Sequence, residues 1–296
     1  MIRIENKQLV AEFSEHGAET QSIRDARTGR EYLWQGDARW WDGRSPILFP
    51  ITGGLWNGTS RIGGKPFLIP KHGYVASREW SVAEQGADYV VFAYEGTEAE
   101  REVFPYDYRL SVRYQLEGNT LRADICVENK GEEAMYFQLG EHPGIMLPDF
   151  KEEEPIDGFM RFEGKPDHLL RAGEQGCIEV EQGTLQPKHF PIPMNEKGLV
   201  PLCEETFANE ALILEEQIAA AVVIDKLGKE MVRVASGAPV WLFWSQQNQH
   251  CPYVCCEPWY GLPDLQTFEG DISKRAYIQS APAGGTWKGW YSVEIL

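Results

Sequence analysis

The sequence predicts an all-β protein, a large antiparallel β-sandwich, and three observations support this. Apolar and polar residues alternate with a period of two over long stretches, as they do in strands that bury one face. Turn-forming pairs such as Asn57-Gly58 and Gly118-Asn119 separate these stretches. Stretches with the helical period of 3.6 residues are scarce, which argues against a helical fold.

The clearest predicted element is a hairpin around Gly118-Asn119. Every second residue of 108–116 is apolar, and the same holds for 121–127. Residues 205–217 fit a short helix, although residues 211–214 fit a strand equally well. Further strands are predicted at 89–94, 134–139, 219–224, 230–235, 239–245, 252–257 and 285–296.

Two segments, 148–176 and 183–204, are rich in proline, glycine and charge and are predicted to be long loops. Loops of this length in a compact protein either carry function or cover a sheet edge. The sequence has no internal repeat and no linker. We therefore predict one domain over residues 1–296.

Charge and cysteine usage limit the partners and the compartment. The formal net charge is −17, which repels nucleic acid and anionic membrane surfaces. A phosphorylated small substrate stays compatible, since one local arginine can hold a phosphate. The six cysteines form no CxxC pair, the first residues lack the long apolar stretch expected of a signal peptide, and no apolar run approaches about 20 residues. We expect a cytoplasmic protein with free thiols, either a monomer or a homodimer.

The first segment with chemical interest contains GRSPILFP at 43–50, GG at 53–54 and KHGY at 71–74. Prolines and glycines at this density form shaped loops and not a central strand. His72 lies beside Gly73, where the backbone can approach a ligand closely. Taken alone, His72 fits a structural histidine as well as a functional one.

Two further segments present ionisable residues at predicted strand ends. In FQLGEHPG, residues 137–144, His142 follows a strand in a rigid turn, a position suited to a proton donor. In YVCCEPWYGLPD, residues 253–264, Glu257 follows an apolar strand. Apolar surroundings raise a carboxylate pKa towards the range of a general base, although a salt-bridged structural glutamate also fits this position.

In this order, the segments resemble the aldose 1-epimerase (galactose mutarotase) family. The branch it resembles carries FP…GG, HG[FY], G-x-HP and C-x-EPW-x-G-x-x-D. The resemblance covers nearly the whole chain, including GAE at 17–19, FPYDY at 104–108 and the segment 287–291. The HP turn and the EPW element are its most specific motifs.

This resemblance implies a galactose mutarotase-like supersandwich that interconverts the α and β anomers of a sugar without metal or organic cofactor. It implies that Glu257 is the general base and His142 the general acid. The residues expected to contact the sugar are His72, Arg44, Glu210, Trp259 and Gln138.

The sequence departs from the family pattern in two places. Ala76 stands where the branch continues HGFAR with an arginine, and Arg78 follows two residues later. Glu210 stands where many members have an aspartate. Both changes concern sugar contacts, so they affect the identity of the sugar more than the type of reaction.

Anomer exchange fits this set of residues on chemical grounds. A base must remove the proton of the anomeric hydroxyl while an acid protonates the ring oxygen, after which the ring opens, rotates and closes again. Acid–base assistance of this kind is worth about 10²–10⁴-fold. An imidazolium acid is expected to work near neutral pH, because histidine titrates there.

Other functions use similar residues. A cupin-type metal isomerase or oxygenase also employs two histidines and one glutamate. Cupins usually carry an H-x-H pair, however, whereas His72 and His142 are far apart in this sequence. A non-catalytic sugar-binding module would need the aromatic residues and Arg44 but no acid–base pair. A nicotinamide-dependent C4-epimerase fits less well, because no glycine-rich fingerprint follows a strand.

Overall fold

A computed structural model describes residues 1–147 and 149–296. Within them, helical structure comprises α1 (Glu204–Phe207) and five 3-10 turns: Trp56–Gly58, Val75–Ser77, Ala99–Glu102, Glu174–Gly176 and Ile272–Lys274. The strands in chain order are β1 (Ile2–Glu5), β2 (Leu9–Phe13), β3 (Thr20–Asp25), β4 (Ile47–Leu48), β5 (Thr59–Ile62), β6 (Lys65–Leu68), β7 (Ser81–Gln85), β8 (Tyr89–Glu95), β9 (Tyr108–Glu117), β10 (Thr120–Asn129), β11 (Met135–Phe137), β12 (Leu139–Glu141), β13 (Gly144–Met146), β14 (Gly158–Gly164), β15 (Val200–Pro201), β16 (Leu212–Glu215), β17 (Ile218–Asp225), β18 (Glu230–Ser236), β19 (Val240–Trp244), β20 (Tyr253–Tyr260), β21 (Gln279–Ala281) and β22 (Thr286–Ile295).

Two large antiparallel sheets dominate the structure. The nine-stranded sheet has the order β15-β14-β17-β18-β22-β10-β9-β8-β7. The six-stranded sheet has the order β16-β19-β20-β12-β4, with β13 paired to β20. Strands β1 to β3, β5 with β6, and β11 with β21 form smaller antiparallel sheets. The predicted all-β class and antiparallel sandwich are confirmed.

The predicted hairpin is β9 and β10, which pair from Glu117 with Thr120 back to Tyr108 with Asn129. The strands predicted at 219–224, 230–235, 239–245 and 252–257 are β17, β18, β19 and β20. None of the helices in the described parts of the chain has the length and apolarity that a membrane crossing requires.

The prediction of a continuous loop over 148–176 is wrong. Strand β14 lies inside this segment and pairs with β17 in the nine-stranded sheet. Met160 and Phe162 are its buried apolar residues, and the charged Arg161 and Glu163 next to them hid this short period-two pattern. Pro148 lies outside the described residues. The segment 183–204 likewise contains β15, which pairs with β14.

Residues 205–217 contain both of the predicted alternatives. Helix α1 ends at Phe207, and β16 begins at Leu212 and pairs with β19. A single turn of helix and a short edge strand therefore divide a segment whose pattern fitted either one.

The main core lies between the two large sheets. The six-stranded sheet separates this core from its other face, and the side chains of β20 alternate between the two. Val254 and Cys256 pack in that core with residues of β9 and β10. Tyr253, Cys255 and Trp259 belong to other clusters, on the opposite face of the same strand. We call the two sides of the six-stranded sheet the core face and the cavity face. Alternation places Glu257 on the cavity face.

Candidate active site

A cavity of about 800 Å³ opens on the cavity face, a volume in the range of small-molecule sites. The cavity is lined by His142 and Glu257, and by His72 from the 71–74 segment. Four of the ten tryptophans also line it: Trp40, Trp41, Trp244 and Trp259. The structure thus brings the three sequence-predicted segments together in one concave site rich in aromatic side chains.

Glu257 lies inside β20 and does not follow the strand as predicted, because the strand continues to Tyr260. Its side chain is only 1% exposed. Its Oε2 is 3.2 Å from Nε2 of His142, although the two groups are not aligned as a hydrogen bond. Burial raises the pKa of the Glu257 carboxyl well above its usual range, and the nearby positive charge of Lys71 partly opposes this shift. The protonated, neutral form of Glu257 is therefore favoured.

His142 follows β12 and has a side chain that is 12% exposed. Its ring centre is 4.8 Å from that of Trp41 and 6.0 Å from that of Trp244. Burial lowers the pKa of His142 to about 3. Burial disfavours both the carboxylate of Glu257 and the imidazolium of His142. The pair as a whole therefore holds a single titratable proton. A free imidazolium at neutral pH, as expected from the sequence, does not suit so buried a site.

His72 lines the same cavity, with its ring centre 6.0 Å from that of His142 and 5.6 Å from that of Trp259. Its Nδ1 accepts a hydrogen bond from the Gly53 amide at 3.2 Å, which leaves Nε2 to carry the proton of the neutral ring. Burial lowers the pKa of His72 well below its usual value, and His142 and Lys71 lower it further. His72 is therefore a neutral hydrogen-bonding group.

The loop at Gly53-Gly54, which contacts His72, is held in place by its own glycines and by Asp264 of the EPW element. A Cβ on Gly54 would lie 2.2 Å from the carbonyl oxygen of Gln175, so no side chain fits there. The Gly54 carbonyl accepts a hydrogen bond from the Asp264 amide. The Asp264 carboxylate accepts from the Trp56 amide and forms a buried ion pair with Arg275 at 2.8 Å. Asp264 of the EPW element thus anchors the Gly53-Gly54 loop that contacts His72.

Trp259 and Glu210 both line the cavity, as expected for sugar contacts. Trp259 is buried, and its indole Nε1 makes no aligned hydrogen bond among the described residues. The indole lies close enough to the Glu257 carboxyl to lower the pKa of that group slightly, against the larger effect of burial. Glu210 is exposed at the rim and has a left-handed backbone with φ of 68°. Their roles in binding stay predictions.

Gln138 and Arg44 are not among the residues that line the cavity. The Gln138 side chain accepts a hydrogen bond from the Thr52 amide and donates one to the Leu262 carbonyl, and it is fully buried. The Arg44 guanidinium donates to the Gln21 carbonyl at 2.9 Å. The backbone therefore already engages both side chains, and their predicted sugar contacts lack geometric support.

Arg78 does not replace the family arginine missing at Ala76. Its guanidinium forms an ion pair with Glu100 at 2.6 Å, and it is not among the cavity-lining residues, whereas Ala76 is. Sequence reasoning overlooked Lys71, which lines the cavity and forms no ion pair within the described parts of the chain. Its position immediately before the HG motif was the available clue. Trp41 and Trp244 carried no comparable clue.

Potential metal ligands also converge here. One nitrogen, sulfur or oxygen atom each of His142, Cys255 and Glu257 lie within 4.8 Å of one another. The cupin-type alternative requires His72 as the third ligand instead of Cys255, and the described residues do not group in that way. A second such group, His168, His189 and Glu215, is separate in sequence from these motifs.

Comparison with known proteins identifies the family. The family described as aldose 1-epimerase matches residues 1–259. This chain belongs to the aldose 1-epimerase family. A relative is the chromosomal protein LacX from Lactococcus lactis subsp. lactis, which is 30% identical to this chain over 306 aligned positions. The alignment covers 100% of this chain and 99% of LacX.

Two solved structures resemble this aldose 1-epimerase family member closely. A galactose mutarotase related enzyme from Lactobacillus acidophilus has a TM-score of 0.90 and 27% identity, covering 100% of this chain and 97% of its own. A galactose mutarotase-like protein from Lactobacillus casei has a TM-score of 0.89 and 26% identity, with full coverage of both chains. The chain is therefore an isomerase of the general mutarotase type with the mutarotase-like sandwich fold.

Proposed function

We propose that this protein interconverts the α and β anomers of an aldohexose, with Glu257 as general base and His142 as general acid. The observation that carries the proposal is the 3.2 Å approach of Oε2 of Glu257 to Nε2 of His142 at the wall of the cavity. Two groups this close can act on the neighbouring anomeric hydroxyl and ring oxygen of one sugar.

The proton inventory of the pair suits this reaction. At rest the single proton of the pair lies on Glu257, and its transfer across the 3.2 Å gap to His142 gives a carboxylate and an imidazolium. Glu257 then takes the proton of the anomeric hydroxyl while His142 delivers its proton to the ring oxygen, and the bond between C1 and the ring oxygen breaks. The aldehyde rotates about the C1–C2 bond, and the reverse transfers close the ring on the other face. The pair holds one proton before and after each opening. The pair therefore stays without net charge throughout the reaction, as its burial favours.

The other lining residues support binding of a polyhydroxylated ring. Trp41, Trp244 and Trp259 offer flat apolar surfaces, and the neutral His72 and the cationic Lys71 offer donors to hydroxyl oxygens. Glu210 at the rim offers an acceptor. We propose these residues as the sugar contacts. The positive charge of Lys71 is compatible with either a neutral or a phosphorylated hexose.

The test is the rate of anomer equilibration, followed by polarimetry or anomer-resolved NMR, across a panel of hexoses and hexose 6-phosphates. We expect the EDTA-treated wild-type protein to accelerate equilibration of at least one sugar, and Glu257→Gln and His142→Gln to abolish this while keeping the wild-type circular dichroism. If wild type accelerates none of the panel yet binds one of its sugars, the protein is a sugar-binding module. An activity that EDTA removes and metal restores would support the metal-dependent alternative.

A further inference from the structure

We propose that His142, Cys255 and Glu257 form an inhibitory Zn²⁺ site at the wall of the cavity, where Cys255 lies buried behind the two lining residues. The inhibition rests on the proposed function, because zinc would occupy the acid–base pair. The binding itself does not rest on it and is measurable without any substrate.

The spacing of the three ligand atoms suits a small tetrahedral cation. With zinc bonds of about 2.0–2.3 Å, tetrahedral ligand atoms lie roughly 3.3–3.8 Å apart. Oε2 of Glu257 and Nε2 of His142 are already 3.2 Å apart. All three ligand atoms lie within 4.8 Å of one another, so Sγ of Cys255 has to move by at most about 1 Å to reach a tetrahedral spacing.

The ligand atoms also lack competing partners. Within residues 1–147 and 149–296, Oε2 of the buried Glu257 accepts no hydrogen bond. Nε2 of His142, the second ligand atom, approaches this Oε2 at 3.2 Å and without hydrogen-bond alignment. Zinc would displace the thiol proton and the proton of the Glu257–His142 pair to solvent.

The donor set selects the metal. Sulfur and imidazole ligands favour Zn²⁺ over Mg²⁺ and Ca²⁺, which prefer oxygen. Three protein ligands leave a fourth position, and the cavity in front of His142 and Glu257 has room for a water there. Zinc bound in this way ties up both atoms that the mechanism needs for proton transfer.

The adjacent cysteine provides a matched control. Cys255 and Cys256 are both fully buried on β20, but Cys256 points into the main core and Cys255 lies in the cluster beside Tyr253. Alanine at either position removes the same thiol and leaves a similar void. Only Cys255→Ala removes the proposed ligand.

The experiment uses the full-length, EDTA-treated protein. Cobalt is added first as a spectroscopic substitute for zinc, and the thiolate-to-cobalt charge-transfer absorption is recorded. Zn²⁺ inhibition of anomer equilibration is then titrated, with Mg²⁺ as the metal control. We expect the absorption in wild type and Cys256→Ala and its loss in Cys255→Ala, which should also need at least about tenfold more zinc for half inhibition.

Equal zinc sensitivity of Cys255→Ala and Cys256→Ala, or an absorption that persists in Cys255→Ala, overturns the proposal. Zinc at the His168, His189 and Glu215 group is distinguished by the cobalt spectrum, because that group contains no sulfur. If wild type shows no mutarotase activity, the cobalt spectra of the two variants still decide the site, so the two proposals fail separately.

Discussion

The two faces of the six-stranded sheet each bury a glutamate, and only one of them is placed for chemistry. Glu141 and Glu257 are both 1% exposed. Burial raises the pKa of both carboxyls well above the usual range. Glu141 points into the main core near Tyr114 and Tyr291, whereas Glu257 faces the cavity beside His142. A raised pKa thus shows only that a carboxyl is buried. Whether the carboxyl can act in a reaction depends on its neighbouring side chain and on whether a ligand can reach it.

The same contrast applies to two neighbouring residues at the end of β12. His142 follows directly after Glu141, and the alternation of the chain turns one side chain to the cavity and the other to the core. A one-residue slip of β12 against β20 would exchange the two residues. The register of Leu139 with Tyr260 and Gly140 with Trp259 therefore fixes which carboxyl and which imidazole meet.

The largest expected effect separates the two glutamates directly. Glu257→Gln removes the proposed base and should lower kcat by about 10²–10⁴-fold. Glu141→Gln replaces a neutral acid by a neutral amide of similar shape and should leave kcat within about twofold. Anomer equilibration rates of the two purified variants, with circular dichroism to check folding, decide this. Equal losses in the two would show that burial and not the cavity face determines the effect.

A second expected effect concerns stability and pH. The folded-state pKa of Glu141 lies above its unfolded value of 4.5, so its contribution to stability is fully present below pH 4.5 and is lost as pH rises towards the folded pKa. Glu141→Gln has no such loss. The free energy of unfolding of the variant relative to wild type should therefore increase with pH, by up to about 1.4 kcal/mol per unit.

Urea unfolding of both proteins at pH 5, 6, 7 and 8 measures this difference. The ionisation of Glu257 and of the histidines is common to both proteins and cancels in the comparison. A pH-independent difference would mean that Glu141 does not lie neutral in the core.

A third expected effect compares two cations that flank the site. Lys71→Met removes a cavity cation and should raise KM by about tenfold, the value of a charge-assisted hydrogen bond of about 1.4 kcal/mol. Arg44→Met removes a side chain that donates to the Gln21 carbonyl and should change KM less than twofold. Steady-state kinetics on the best sugar of the panel measure both. A larger effect at Arg44 would restore it as a sugar contact.

The smallest expected effect is that kcat/KM does not change with pH near neutrality. Burial lowers the pKa of His142 to about 3 and raises that of Glu257 well above its usual range, so we expect neither group to titrate like an exposed histidine. The enzymatic kcat/KM, after subtraction of the uncatalysed rate, should be flat between pH 6 and 7. A fall in rate below a midpoint near 6.5 would indicate a His142 that titrates like an exposed histidine.

Sequence reasoning predicted the fold class correctly through local patterns, and it proposed residues that the structure brings together at the cavity. Alternation predicted β9, β10 and β17 to β20, and the two specific motifs indicated His142 and Glu257. It missed β14, because the charged residues around Met160 and Phe162 masked a short strand. It also counted Arg44 and Gln138 as ligand contacts, since a sequence does not show which polar side chains distant backbone groups already engage.

The sequence by itself determined the period-two pattern, the family motifs and hence the all-β aldose 1-epimerase assignment. Only the tertiary structure decided which face of the six-stranded sheet forms the cavity and which carboxyl meets His142. It alone brought Lys71, Trp41 and Trp244 to the same cavity and placed Cys255 beside the acid–base pair. The physical reason is that alternation separates neighbouring side chains onto two faces, whereas long-range strand pairing determines what each face encounters.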